Sequence, residues 1–200
     1  MKQHWEDIYN NKQPNEVSWT QEKPSISLDF IHGFNTNKNT PIIDIGGGDS
    51  KLVDYLLDEG YTDITVLDIS GAAIERAKKR LGNRQQSVKW IVNDILEFEP
   101  ERNYGIWHDR AAFHFQTDEQ SIDKYISIVN KAASQFVVVG TFSVNGPKKC
   151  SGIEIKQYEE GSMKARFENE HYKNTTCKYE DHITPSGNVQ NFIFCGFKRD

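Results

Sequence analysis

"PIIDIGGGDSKLV", residues 41 to 53, decides the fold. Ile42 to Ile45 suit a buried strand, and they run straight into Gly46, Gly47 and Gly48. Glycine weakens any regular element, so three together at a strand end mark a backbone that something must approach closely. From Ser50 a new rhythm begins: Leu52, Val53, Leu56 and Leu57 recur at helical spacing, and Gly60 supplies a stop.

The same alternation continues outward. "DITVLDI" reads as a second strand, and Ser70 then caps a helix "GAAIERAKKRLG" closed by Gly82. "VKWIVNDI" is the third strand and "YGIWHD" the fourth. "DEQSIDKYISIVNKAA" is a helix, and "QFVVVGTF" is a fifth strand, apolar on both faces. Strand and helix alternate from 41 to 140, which implies a parallel sheet with helices on both faces. Beyond it the spacing predicts a short helix near 157–166, then two strands near 171–184 and 189–198, joined by "TPSGN" as an antiparallel hairpin. Residues 1–40 read as a helical cover made of "HWEDIYNN" and "PSISLDFIHGF". The expected fold is a single α/β domain: a doubly wound, mostly parallel seven-stranded sheet with a C-terminal antiparallel hairpin. Its parts are the cover (1–40), a cofactor-binding core (41–140) and a substrate-side loop, helix and hairpin (141–200).

Composition narrows the function. The chain has 200 residues, 36% of them hydrophobic, with a net charge of −5. That balance disfavours a generic nucleic-acid or anionic-membrane surface. The apolar run "FVVVG" is far too short to span a bilayer, and "MKQHWEDIYNNKQ" lacks the apolar core of a secretory leader. Cys150, Cys177 and Cys195 are odd in number and widely spaced, so neither a disulfide framework nor a zinc site is expected. A reduced, cytoplasmic protein acting without a metal is the expectation.

Three ligands compete for the glycines. A phosphate-binding P-loop needs G-x-x-x-x-G-K-[ST], which is not there. A dinucleotide fingerprint needs a third glycine where Lys51 stands. The third ligand is S-adenosylmethionine, and here the chain resembles the class I S-adenosylmethionine-dependent methyltransferases. Their first motif, an acid followed by G-x-G, matches Asp44-Ile45-Gly46-Gly47-Gly48, and their second, an acid ending the next strand, matches Asp68 in "TVLDIS". A carboxylate at that strand tip accepts hydrogen bonds from both ribose hydroxyls. The resemblance also implies that Asp94 meets the adenine amino group. It assigns Ile69, Ile95, His108 and Trp19 to the cofactor site as well.

A narrower resemblance rests on "WHDRAAFHF", "GPKKCSG" and "HITPSGNVQNFIFCGF", which look like a small bacterial branch of these enzymes. The N-terminal "HWEDIYNNKQPNEVSWTQEKP" resembles the thiol and halide methyltransferases, whose N-terminal helix closes over the cofactor, and the seven-strand lysine methyltransferases. The latter carry Asp-Lys-Gly-Thr-x-Asp after the fourth strand. Aligned on it, Asp109 takes the first acid and His114 the last, so the second carboxylate is missing. His114 is the candidate base, while Asp109, Phe113 and Cys150 are candidate substrate contacts. The implied activity is methyl transfer to a small-molecule acceptor such as a thiol. Alternatives are lysine methylation of a protein and a non-catalytic cofactor-binding subunit. The absence of "DPPY" and "NPPY" argues against a nucleic-acid acceptor.

Overall fold

Alternating isoleucines dress both faces of the first strand. The computed structural model describes residues 1–200. Ile42 of β1 (Ile42–Ile45) packs on one side with Leu28, Leu52 and Leu56, while Ile43 and Ile45 pack on the other with Trp107 and Tyr125. Each fully buried side chain of this kind stabilises the fold by about 1.5–3 kcal/mol. β1 lies between β2 (Ile64–Asp68) and β4 (Tyr104–Arg110), parallel to both. β3 (Val88–Val92) flanks β2, and β5 (Ala133–Phe142) flanks β4. Two short strands, β6 (Lys149–Cys150) and β7 (Ile153–Glu154), form a separate ribbon. The hairpin of β8 (Tyr172–Ile183) and β9 (Val189–Arg199) completes the seven-stranded sheet in the order β3-β2-β1-β4-β5-β9-β8, with β9 antiparallel to β5.

The order reverses at β1 and β4, so a crevice opens above their carboxyl ends. α3 (Leu52–Asp58) and α4 (Gly71–Leu81) follow β1 and β2, while α5 (Glu119–Ala132) and α6 (Glu160–Phe167) lie in the second half. α1 (Lys2–Asn11) and α2 (Ser25–Gly33) form the cover. α1 is amphipathic and buries Trp5, Ile8 and Tyr9 in a cluster with Val17, Phe142, Cys150 and Phe192.

One expectation is corrected. Cys177 and Cys195 are joined by a disulfide. They stand directly opposite in the β8–β9 register, with Cα atoms 4.1 Å apart. Their separation of 18 residues is that of a hairpin, which their wide spacing along the chain did not reveal. No helix is long and apolar enough to cross a membrane.

Candidate active site

The three glycines make room for buried acids. A Cβ on Gly47 would lie 2.4 Å from Asp44 Oδ2, and one on Gly48 would lie 2.5 Å from Asp68 Oδ2. Gly48 also has φ +25°, and Gly46, at φ +66°, faces Ala112 of the loop after β4. The backbone is thus bare where two carboxylates press on it; Gly46, Asp44 and Asp68 line a cleft of about 930 Å³, and the expected cofactor residues Gly47 and Gly48 stand behind that lining.

Asp44 and Asp68 are almost wholly buried. Asp68 Oδ1 accepts the Ser70 amide at 2.8 Å. Burial pushes its pKa to about 7; the Ser70 amide opposes that shift, and the negative charges of Asp44 and Glu6 add to it. Asp94 caps a helical turn by accepting the Leu96 amide at 2.9 Å, and it lines the cleft beside Ile95. His108 joins Asp44 through Nδ1 at 2.7 Å and Ser27 Oγ through Nε2 at 2.8 Å. With Asp44 ionised, Nδ1 carries the proton and Nε2 accepts the Ser27 hydroxyl. Ser27 lies 81 residues from His108 on the cover, and no local motif marks it.

The other end of the cleft is aromatic. Trp5 meets Trp19 and Phe115 edge-on, with centroids 5.5 and 5.4 Å apart, and Tyr9 meets Trp19 at 6.1 Å. Cys150 lines the same space, and burial pushes its thiol up to about 12 against the influence of Arg110. Burial also raises the Tyr9 hydroxyl well above its ordinary value. The cover is fastened by Glu6. Its carboxylate accepts the amides of Gly71 and Ala72 at 2.8 and 3.0 Å and the Ser70 hydroxyl at 3.1 Å, at the N-terminus of α4. An acid there satisfies free amides and meets the positive end of the helix.

Three expected site residues lie elsewhere. His114 is fully buried and does not line the cleft. Its Nδ1 accepts the Phe142 amide at 3.4 Å, and burial, with the Arg110 charge, drives its pKa to about 3. Its ring stands outside the cleft lining, away from any substrate held there. Asp109 points into the core, where Oδ1 accepts the amides of Ala112 and Phe113 and Oδ2 accepts the Tyr125 hydroxyl at 2.6 Å. Phe113 packs between Tyr125, Tyr158 and Phe167. These two residues shape the loop after β4; they do not touch a ligand in the cleft. Along this loop the substrate side falls to Arg110, Ala111, Ala112 and Phe115.

The acids, the bare turn and the switch-point crevice fit one group of known proteins. A methyltransferase-domain family profile matches residues 42–132. The match covers a little under half of the chain. Over 121 residues the chain is 26% identical to the mouse eEF1A lysine and N-terminal methyltransferase, covering 60% of this chain and 17% of that one. Over 98 residues it is 29% identical to malonyl-[acyl-carrier protein] O-methyltransferase 1 of Ilyobacter polytropus, covering 48% of this chain and 35% of that one. The chain therefore spans only a minor part of these relatives. Among solved structures, the N-methyltransferase NodS of Bradyrhizobium japonicum aligns with a TM-score of 0.74 at 14% identity, covering 99% of this chain and 97% of that one. The protein that converts a disulfide bond into a thioacetal group during echinomycin biosynthesis aligns with a TM-score of 0.78 at 15% identity, covering 100% and 93%.

NodS was solved with S-adenosyl-L-homocysteine, and the structurally similar magnesium protoporphyrin IX methyltransferase of Synechocystis with S-adenosylmethionine. The residues fit such a group: Asp44, held by His108, Asp68 and Asp94 all line the cleft, acceptors of the kind its hydroxyl, amino and ammonium donors would need. The amides of Gly46 and Gly47 both donate to the Leu67 carbonyl, at 2.8 and 3.3 Å, so they are engaged within the fold and not presented to a pyrophosphate.

Proposed function

We propose that this chain transfers the methyl group of S-adenosylmethionine to a small molecule whose nucleophile is soft and ionises easily, a thiol above all. The observation that carries this reading is the lack of a free base at the aromatic end of the cleft. Tyr9 and Cys150 keep their protons, both nitrogens of His108 are engaged, and His114 faces away. A thiol, with an ordinary pKa of about 8.5, arrives partly as thiolate, whereas a lysine amine at about 10.4 arrives charged. The Arg110 cation favours the first and repels the second.

S-adenosylmethionine supplies an electrophilic methyl on a sulfonium. What remains for the protein is alignment and exclusion of water. Asp44, Asp68 and Asp94 fix the donor from the strand ends. Trp5, Tyr9, Trp19 and Phe115 line the aromatic end of the cleft, where a flat apolar acceptor would sit. The thioacetal-forming structural relative also works on sulfur, by its description. The lysine methyltransferase relatives favour a protein acceptor, and the match covers 60% of this chain and 17% of the mouse protein.

The test is incubation with methyl-labelled cofactor and either a panel of small thiols or size-fractionated cell extract. Label in small thiol products and none in protein is the expected outcome. Stoichiometric methyl-lysine in a protein overturns the acceptor assignment. Cofactor binding with no label transferred to any fraction means a non-catalytic subunit.

A further inference from the structure

Arg110 is a partly buried cation with one edge unused. It is the last residue of β4 and lines the cleft. Its Nη1 donates to the Trp19 carbonyl at 3.0 Å, and the guanidinium lies over the Phe192 ring, 4.8 Å from the centroid. Its Nε and Nη2 are sealed from solvent and have no hydrogen-bond partner. Those two donors lie along the same side of the guanidinium, the fork that grips a carboxylate with two parallel hydrogen bonds. Leaving such donors empty in a buried place is costly. The Glu180 carboxyl acts on Arg110 through space but makes no hydrogen bond to it, and its own Oε2 is also without a partner.

We propose that the free edge of Arg110 recognises an anionic group, a carboxylate, on the methyl acceptor, and that the rings of Trp5, Trp19 and Phe115 hold the flat apolar part of the same molecule. The acceptor class is thus an aromatic or otherwise planar acid carrying the soft nucleophile. This rests on the small-molecule reading above. A cation whose third nitrogen is pinned to the Trp19 backbone is fixed in place with the cover closed. The same contact ties substrate recognition to the cover.

The experiment compares 2-, 3- and 4-mercaptobenzoate with benzenethiol, in the full chain and in Arg110→Met, Arg110→Lys and Glu180→Gln. At least one mercaptobenzoate should exceed benzenethiol tenfold or more in kcat/KM, chiefly through KM. Arg110→Met should erase that preference, and Arg110→Lys should restore part of it. Glu180→Gln, which removes a competing charge, should tighten mercaptobenzoate binding several-fold.

Equal use of neutral and charged thiols by the unaltered protein overturns the proposal while leaving thiol methylation intact. A loss of S-adenosylhomocysteine affinity beyond tenfold in a folded Arg110→Met variant also overturns it, because the arginine would then serve the cofactor. Weaker mercaptobenzoate binding in Glu180→Gln has the same force, since it would mean a closed arginine–glutamate pair. If no thiol is methylated, calorimetry of 4-mercaptobenzoate on the S-adenosylhomocysteine complex separates the two readings. Binding that Arg110→Met abolishes keeps the anion site and discards thiol methylation; no binding discards both.

Discussion

The two ends of one cleft are built in different ways. The cofactor end is made of strand tips: Asp44, Asp68 and Asp94 each leave a neighbouring strand of a single sheet, and their spacing along the chain follows from strand and helix lengths. The acceptor end is assembled from pieces far apart in sequence, including Trp5, Tyr9, Trp19, Arg110, Phe115 and Cys150. A rigid scaffold fixes the first, while packing of the cover creates the second. Substitutions at the cofactor end should therefore be severe and local. Those at the acceptor end should alter selectivity or cover behaviour more than donor binding.

The largest expected effect is at Gly48. Gly48→Val places a branched side chain where a Cβ alone already meets Asp68 Oδ2 at 2.5 Å, with φ at +25°. Displacement of Asp68 should abolish measurable S-adenosylhomocysteine binding in calorimetry, and overpacking should cost about 1–3 kcal/mol in a denaturant melt. Normal affinity in this variant would mean that the turn does not shape the donor site.

Asp68→Ala comes next. Loss of a hydrogen-bonded charged group should weaken donor binding by about 1.5–3 kcal/mol. The pH profile adds a sharper check. Burial raises Asp68 to about 7, so its carboxylate forms only as pH rises through that value, and donor affinity should climb with it and then level off. Stability runs the other way: with a folded pKa above the unfolded one, Asp68 stabilises the ligand-free fold most at acid pH and loses that contribution as pH rises through about 7. Calorimetry across pH 5 to 8.5 should show the rise in affinity, and Asp68→Asn should flatten it.

At the acceptor end, His114→Ala should change kcat less than tenfold, because the imidazole does not reach the cleft. It should instead cost about 1–3 kcal/mol of stability, since the Phe142 amide loses its buried acceptor. A rate loss of a hundredfold or more with normal stability would restore His114 as a base.

The smallest effect is at Glu6. Burial raises its pKa, but the amides of Ala72 and Gly71 and the Ser70 hydroxyl outweigh burial and hold it below the usual carboxylate range. Its contribution is therefore present above the ordinary glutamate value and lost as pH falls through the lowered one. Glu6→Gln should cost about 0.5–2 kcal/mol, as for loss of a helix cap, and should speed hydrogen exchange in residues 1–23. Unchanged exchange would show the cover to be held by its rings alone.

This contrast also governs what the sequence reveals. The sheet, its hairpin and the helices follow from periodicity, because buried strands and amphipathic helices write their pattern locally, as Ile42–Ile45 and Gly71–Leu81 do. The strand-end acids are legible for the same reason. The loop after β4 is not: in "DRAAFHF" either the charged or the aromatic residues could face the cleft. Ala111 decides it at φ 69°, turning Arg110 to the ligand and burying Asp109, Phe113 and His114. Alanine rarely adopts that conformation, and nothing in its neighbours announces it. Ser27 and Glu6 were invisible because their partners lie 81 and at least 64 residues away. The Cys177–Cys195 link was missed because it depends on the register of the hairpin, which an odd cysteine count does not convey.

The Glu6 fastening has a consequence for the catalytic cycle. The cover that carries Trp5 and Tyr9 is tied to the helix that begins three residues after Asp68, so motion of the cover and of the proposed donor site is coupled. On the proposed function, cover opening limits departure, and turnover should slow in proportion to added viscogen while a single-turnover burst stays constant.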